Sequence, residues 1–139
     1  MTTFNELKTE ADRRWQDLVA GDKPWIRVGT AMCGQAVGAV EIVAALRSEL
    51  EARDIPATVD EVGCLGLCYA EPLVDVMKPG GPRVFFSGMA PEDVGSLIDE
   101  YLVNDRVPPK NVMGYLGEPS RDDIPDLNSL PVVAMQRRI

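Results

Sequence analysis

Near the start of the chain, apolar residues recur at spacings of three and four. Phe4, Leu7, Ala11, Trp15 and Leu18 share one face of an amphipathic helix expected over residues 4–20, set to cover the domain or a partner. Gly21, Asp22, Lys23 and Pro24 then break the period, because proline disfavours helical geometry in the residue before it. Trp25 to Gly29 reads as a first strand. The helical period returns from about Ala36 to Arg53, with Val40, Val43, Leu46 and Leu50 on its inner face. Ala57 to Val62 reads as a second strand, parallel to the first because a helix of this length makes a right-handed crossover. Leu73 to Lys78 and Arg83 to Ser87, joined through Pro79, Gly80, Gly81 and Pro82, read as a β-hairpin. Pro91 at a first helical position, with Glu92 and Asp93 in the first turn, opens a last helix to about Val103 whose inner residues are Val94, Leu97, Ile98 and Tyr101. The order βαβββα describes an α/β domain on a small mixed sheet.

From Asn104 onward the pattern changes. Pro108, Pro109, Pro119, Pro125 and Pro131 are scattered among polar residues with no sustained period, which predicts extended chain. The same stretch carries Val112, Met113, Tyr115, Leu116, Ile124, Leu127, Leu130, Val132 and Val133, too many apolar anchors for a solvent linker. It is therefore expected to bind a partner's surface. The chain divides into an N-terminal helix (1–22), a central domain (23–104) and an extended tail (105–139).

A length of 139 residues suits one domain with a modest core and an extension. The chain is 45% hydrophobic but has no apolar run approaching the ~20 residues of a membrane span. Its first residues, Met1 to Lys8, lack a basic-then-apolar signal segment, so a cytoplasmic location without membrane insertion is expected. A net charge of −8 argues against nucleic acid as a partner, since phosphates would be repelled. The same acidity suits docking on a basic protein face, or simple solubility. No glycine-rich nucleotide fingerprint or phosphate loop is present, so any flavin or nucleotide would belong to another chain.

The candidate chemistry lies in three cysteines in a chain with no histidine, so a soft-metal site would be sulfur-dominated. Cys64 and Cys68 have three residues between them, in a turn with Gly63 before the pair and Gly66 inside it. Glycine lets such a turn take positive φ and point both thiols at one atom. Cys33 lies in another glycine-bearing stretch, between the first strand and the next helix, where free N–H groups favour a thiolate. Parallel neighbouring strands end on the same side of a sheet, so Cys33 and the Cys64/Cys68 turn are expected to converge at one edge.

Two stretches, Gly29-Thr30-Ala31-Met32-Cys33-Gly34-Gln35-Ala36-Val37-Gly38 and Val62-Gly63-Cys64-Leu65-Gly66-Leu67-Cys68-Tyr69-Ala70-Glu71-Pro72-Leu73-Val74, carry a family resemblance. Over roughly residues 25–104 the chain resembles the thioredoxin-like [2Fe-2S] ferredoxins. The version it resembles most is fused to the N-terminus of the flavin- and NAD(H)-binding subunit in NAD(P)-reducing hydrogenases, formate dehydrogenases and complex I relatives. The resemblance implies a thioredoxin-like ferredoxin fold and a [2Fe-2S] cluster on Cys33, Cys64 and Cys68. It also implies electron transfer with no substrate site in this chain, and docking on a flavin/NAD(H)-binding subunit of a hydrogenase- or formate dehydrogenase-like complex. The segment from Ile124 to Ile139 looks like the connector that precedes the flavin domain in the fused relatives.

One departure stands out: the family normally has four cysteines, and the place of the first is held here by Val28 or Gly29. Asp22 is excluded as a replacement, because it precedes a strand whose far end holds the site, roughly 16 Å away. Thr30, Tyr69, Glu71, a water or hydroxide, or a partner's side chain remain candidates for the fourth position. Two other readings stay open. The protein can be a cluster-free assembly subunit, or it can exchange thiols and disulfides at Cys64 and Cys68. Exchange motifs usually space their thiols by two residues at a helix start, which counts against the latter. Trp15 and Trp25 are read as core residues before electron-path aromatics.

Overall fold

The first strand, β1 (Trp25–Gly29), is buried at four of its five positions and carries the rest of the sheet on both sides. On one side it pairs in parallel with β2 (Thr58–Val62), from Trp25 against Thr58 to Gly29 against Val62. On the other it pairs antiparallel with β3 (Val74–Met77), which continues through a hairpin into β4 (Arg83–Phe86). The computed structural model describes residues 2–135, and in it these strands belong to a five-stranded mixed sheet of order β2-β1-β3-β4-β5. The expected βαβββα domain is thus the observed one.

Strand alternation sorts the two faces. Ile26 and Val28 of β1, Val74 and Val76 of β3, and Val84 and Phe86 of β4 all point to one side and are fully buried. They meet Ile42, Val43, Leu46 and Leu50 of the long helix, and Val94, Leu97, Ile98 and Tyr101 of the last helical run. Tyr101 packs edge to face on Phe86 with ring centroids 5.6 Å apart, and burial pushes its phenol up to about 12. The inner face expected for the last helix is the observed one. Its geometry is less regular: a 3-10 turn at Pro91–Asp93 and an α turn at Val94–Ser96 run into a π-helical stretch at Leu97–Val103.

Two expectations for the preceding helix need correction. The helix read from about Ala36 to Arg53 begins only at Ala39, as α3 (Ala39–Ala52), and a separate short helix, α2 (Met32–Ala36), precedes it; α1 is the N-terminal helix Phe4–Val19. Gly38 between them has φ +99, a left-handed backbone that ends one helical turn and caps the next. Within α3, Ile42 rather than Val40 faces the core, and Val40 is exposed.

The opposite face of the sheet is aromatic and charged. Trp25 is buried there with the guanidinium groups of Arg27 and Arg83 lying 5.1 and 4.7 Å from its ring centroid, and donates its indole N–H to Asp60 at 2.8 Å. Asp75 is the one buried charged residue among those described, and it accepts from both arginines. Burial holds the Arg83 guanidinium below its ordinary value, with Asp75 opposing that shift. Helix α1 has a Thr3–Glu6 capping box but no buried residue. Trp15 stays half exposed and meets the domain edge-on at Trp25, 5.7 Å between centroids.

Of residues 105–139, read as an extended partner-binding tail, the described ones give much of their apolar surface to their own domain. Val112–Leu116 form β5, antiparallel to β4. Tyr115, Ile124, Leu127 and Val133 are buried, and Tyr115 donates its N–H to Pro125 O at 3.0 Å. The last part of the connector-like segment, residues 136–139, lies outside the described residues. Among the described residues no helix is long and apolar enough to cross a membrane.

If the segment folds with the domain in this way, Leu127→Ala removes a buried side chain and costs about 2–4 kcal/mol in urea unfolding of the isolated chain. A change near zero would mean that the segment is held only by a partner.

Candidate metal centre

The parallel pairing of β1 and β2 determines where the cysteines stand. Gly29 ends β1 opposite Val62 at the end of β2, and the Thr30 N–H donates to Val62 O at 3.0 Å. Cys64 follows Val62 by two residues and Cys33 follows Gly29 by four, so both leave the same edge of the sheet. The backbone pairing thus brings the two cysteine stretches out at the same end of the sheet.

Cys64 and Cys68 are close neighbours, with their sulfurs 3.8 Å apart. Both are free thiols, well beyond the ~2.05 Å of a disulfide bond. Gly66 between them has φ +81, and its N–H donates to the Cys64 sulfur at 3.1 Å. The underside of the turn is anchored: Leu67, Ala70 and Leu73 form a small buried cluster with Met113 and Val132 against it. Ala70 closes a 3-10 turn, Cys68–Ala70, and accepts from the Gly88 N–H at 2.9 Å. With its apolar residues turned inward, the turn presents both thiols outward, and both are exposed.

Cys33 sits on α2, not in an open loop as expected, and is also exposed. Among the described residues no three Cys, Asp or Glu side chains are grouped so as to hold a single metal ion. The pair and the third thiol are therefore separate halves of one edge. A [2Fe-2S] cluster divides its ligands two to each iron, so a close pair of thiols is the unit that serves one of them. Two thiolates on one tetrahedral metal, each at about 2.3 Å, stand about 3.8 Å apart, which is the separation of Cys64 and Cys68. The Cys64/Cys68 pair thus fits two ligand positions on one iron.

Of the candidates for the remaining position, Tyr69 is 71% exposed, while Glu71 is half-buried beside Gly29 and Gly34. Sequence reasoning missed the surroundings of the thiols. Met32, Val37, Leu65 and Tyr69 are large apolar side chains left exposed among the cysteines. The signal was available, since each flanks a cysteine stretch without belonging to any helical or strand period. Leu65 and Leu67 also border a cleft of about 810 Å³ on the aromatic face of the sheet, reached too by Val19, Phe85 and Leu127.

No family model matches the chain. It is 29% identical over 103 residues to the NADP-reducing hydrogenase subunit HndB of Solidesulfovibrio fructosivorans, covering 73% of this chain and 82% of that one. It is 31% identical over 70 residues to a 2Fe-2S ferredoxin of Clostridium pasteurianum, covering 49% of this chain and 66% of the ferredoxin. Among solved structures, a thioredoxin-like [2Fe-2S] ferredoxin from Aquifex aeolicus superposes with a TM-score of 0.60 at 18% identity, over 73% of this chain and 99% of that one. A second structure of the Aquifex ferredoxin gives 0.59 at the same identity. The likeness to the solved structures is one of fold, and the resemblance read from the cysteine stretches agrees with it.

In the iron-free chain all three thiols are expected to react promptly with a chromogenic disulfide reagent, since all three are exposed. A slow or missing thiol in that titration would contradict the placement described for it.

Proposed function

We propose that this chain, a relative of the thioredoxin-like [2Fe-2S] ferredoxins, is a small electron-transfer subunit of a multisubunit oxidoreductase. The observation that carries the reading is the Cys64/Cys68 pair, held at the spacing of two thiolates on one tetrahedral metal. Similarity to a hydrogenase subunit and to a 2Fe-2S ferredoxin supports it. Cys64 and Cys68 would hold one iron of the cluster, and Cys33 would hold the other. A bound [2Fe-2S] cluster supplies one-electron chemistry at a potential set by its ligands, its hydrogen bonds and its exposure.

The chain's own residues do the rest. The Gly66 N–H, already directed at the Cys64 sulfur, stabilises negative charge there. The buried Leu67–Ala70–Leu73 cluster keeps the turn from collapsing over its thiols. Met32, Val37, Leu65 and Tyr69 leave apolar surface exposed in the same two stretches that carry the thiols, which a docked partner would cover. The partner that suits this surface is a flavin/NAD(H)-binding subunit of a hydrogenase- or formate dehydrogenase-like complex, because this chain carries no nucleotide fingerprint of its own. HndB is itself a subunit of an NADP-reducing hydrogenase.

Purified anaerobically with iron and sulfide supplied, the chain is expected to absorb between about 400 and 560 nm, as iron–sulfur proteins do. Cys64→Ser or Cys68→Ser should each abolish that band. A colourless wild-type chain, together with a Cys64→Ser complex of undiminished activity, would instead identify it as an assembly subunit without a cluster.

A further inference from the structure

Three thiols leave one of the cluster's four ligand positions without a cysteine. We infer that the Glu71 carboxylate takes it, which rests on the reading of Cys33, Cys64 and Cys68 as the other ligands. The inference starts from the end of β1, where the residue is a buried glycine. A Cβ placed on Gly29 would lie 3.1 Å from each carboxylate oxygen of Glu71, so Glu71 fills the space that a side chain at position 29 would occupy. The same carboxylate lies 3.3 Å from where a Cβ on Gly34 would stand, and Gly34 adjoins Cys33 in the chain. Glu71 also follows Cys68 by three residues, directly after the 3-10 turn that Cys68 opens. A residue three past Cys68 therefore packs its carboxylate against the stretch that carries Cys33.

Its two oxygens are differently placed. Oε2 accepts the Leu73 N–H at 2.8 Å, which holds the side chain folded back over the strand end. Oε1 accepts no hydrogen bond among the described residues, and the residue is only half-buried, so a lone pair is free to bind a metal. A carboxylate brings the same single negative charge as the thiolate it replaces, with a harder donor atom. Thr30 and Tyr69 offer neither feature: both are neutral hydroxyls, and Tyr69 projects into solvent.

The test uses the full chain loaded with iron and sulfide, in the wild type and in Glu71→Gln. The amide keeps an acceptor for the Leu73 N–H and nearly the same volume, but gives up the charge that makes the carboxylate a ligand. The variant is expected to lose iron to a chelator at least about tenfold faster than the wild type and to show a shifted paramagnetic spectrum when reduced. The thermal unfolding of the iron-free chain should be unchanged. In the reduced wild type, glutamate labelled with carbon-13 at its side-chain carboxyl should give a strong carbon coupling to the cluster. This readout does not depend on any variant folding. A Glu71→Gln chain matching the wild type in iron retention and spectrum, or a labelled wild type with a cluster but no carbon coupling, would overturn the role of Glu71 alone. A wild type that takes up no iron would overturn the cluster reading and this inference with it.

Discussion

The parallel register of β1 against β2 is the constraint on which the site depends. Two cysteine stretches separated by a full helix come to one edge of the sheet because Gly29 and Val62 end their strands side by side. The hydrogen bond from Thr30 to Val62 carries the pairing one residue past the strand end, to the point where both loops depart. A slip of one residue would turn every side chain of β1 to the wrong face, taking Ile26 and Val28 out of the core. The apolar face of the sheet thus guards the register, and the register guards the site.

The two faces of the sheet divide the labour. One is closed by α3 and the last helical run and supplies the domain's main core. The other holds the Trp25, Arg27, Asp75 and Arg83 cluster, in which a buried carboxylate is matched by two guanidinium groups over an indole ring. Burying such charges gives little net stability, but it disfavours any arrangement that leaves one unpaired. Helix α1 and the C-terminal segment both reach this face, the first through Trp15 and Val19 and the second through Leu127 and Val133 near the cleft.

Much of this was legible in the residues. Strands β1 to β4 announced themselves through β-branched and aromatic runs bounded by glycine and proline, and the last helix through Pro91 and its inward period. The site was legible as far as backbone topology carries: a parallel crossover brings Cys33 toward Cys64 and Cys68 whatever the side chains do. What escaped was whatever depends on a distant partner. Strand β5 has no alternating pattern of its own. It contains Gly114, whose side of the strand lies so close to Pro125 O that a Cβ would stand 2.6 Å away, and it exists because β4 offers an edge. The break between α2 and α3 was missed because a glycine inside a helical period reads as tolerated until its φ is known. The lodging of Glu71 against Gly29 and Gly34 was missed for the same reason, since nothing local to residue 71 points to residue 29.

The contact of α2 with the strand end has a further consequence. A Cβ on Gly34 would stand 2.0 Å from Gly29 O, so the backbone of the Cys33 helix lies directly on the end of β1. No side chain, however small, can be inserted there without prying the two apart. Around Cys33 the scaffold is therefore held by main-chain packing. Nuclei that scarcely move between oxidation states keep reorganisation energy low, which a rapid relay of single electrons requires.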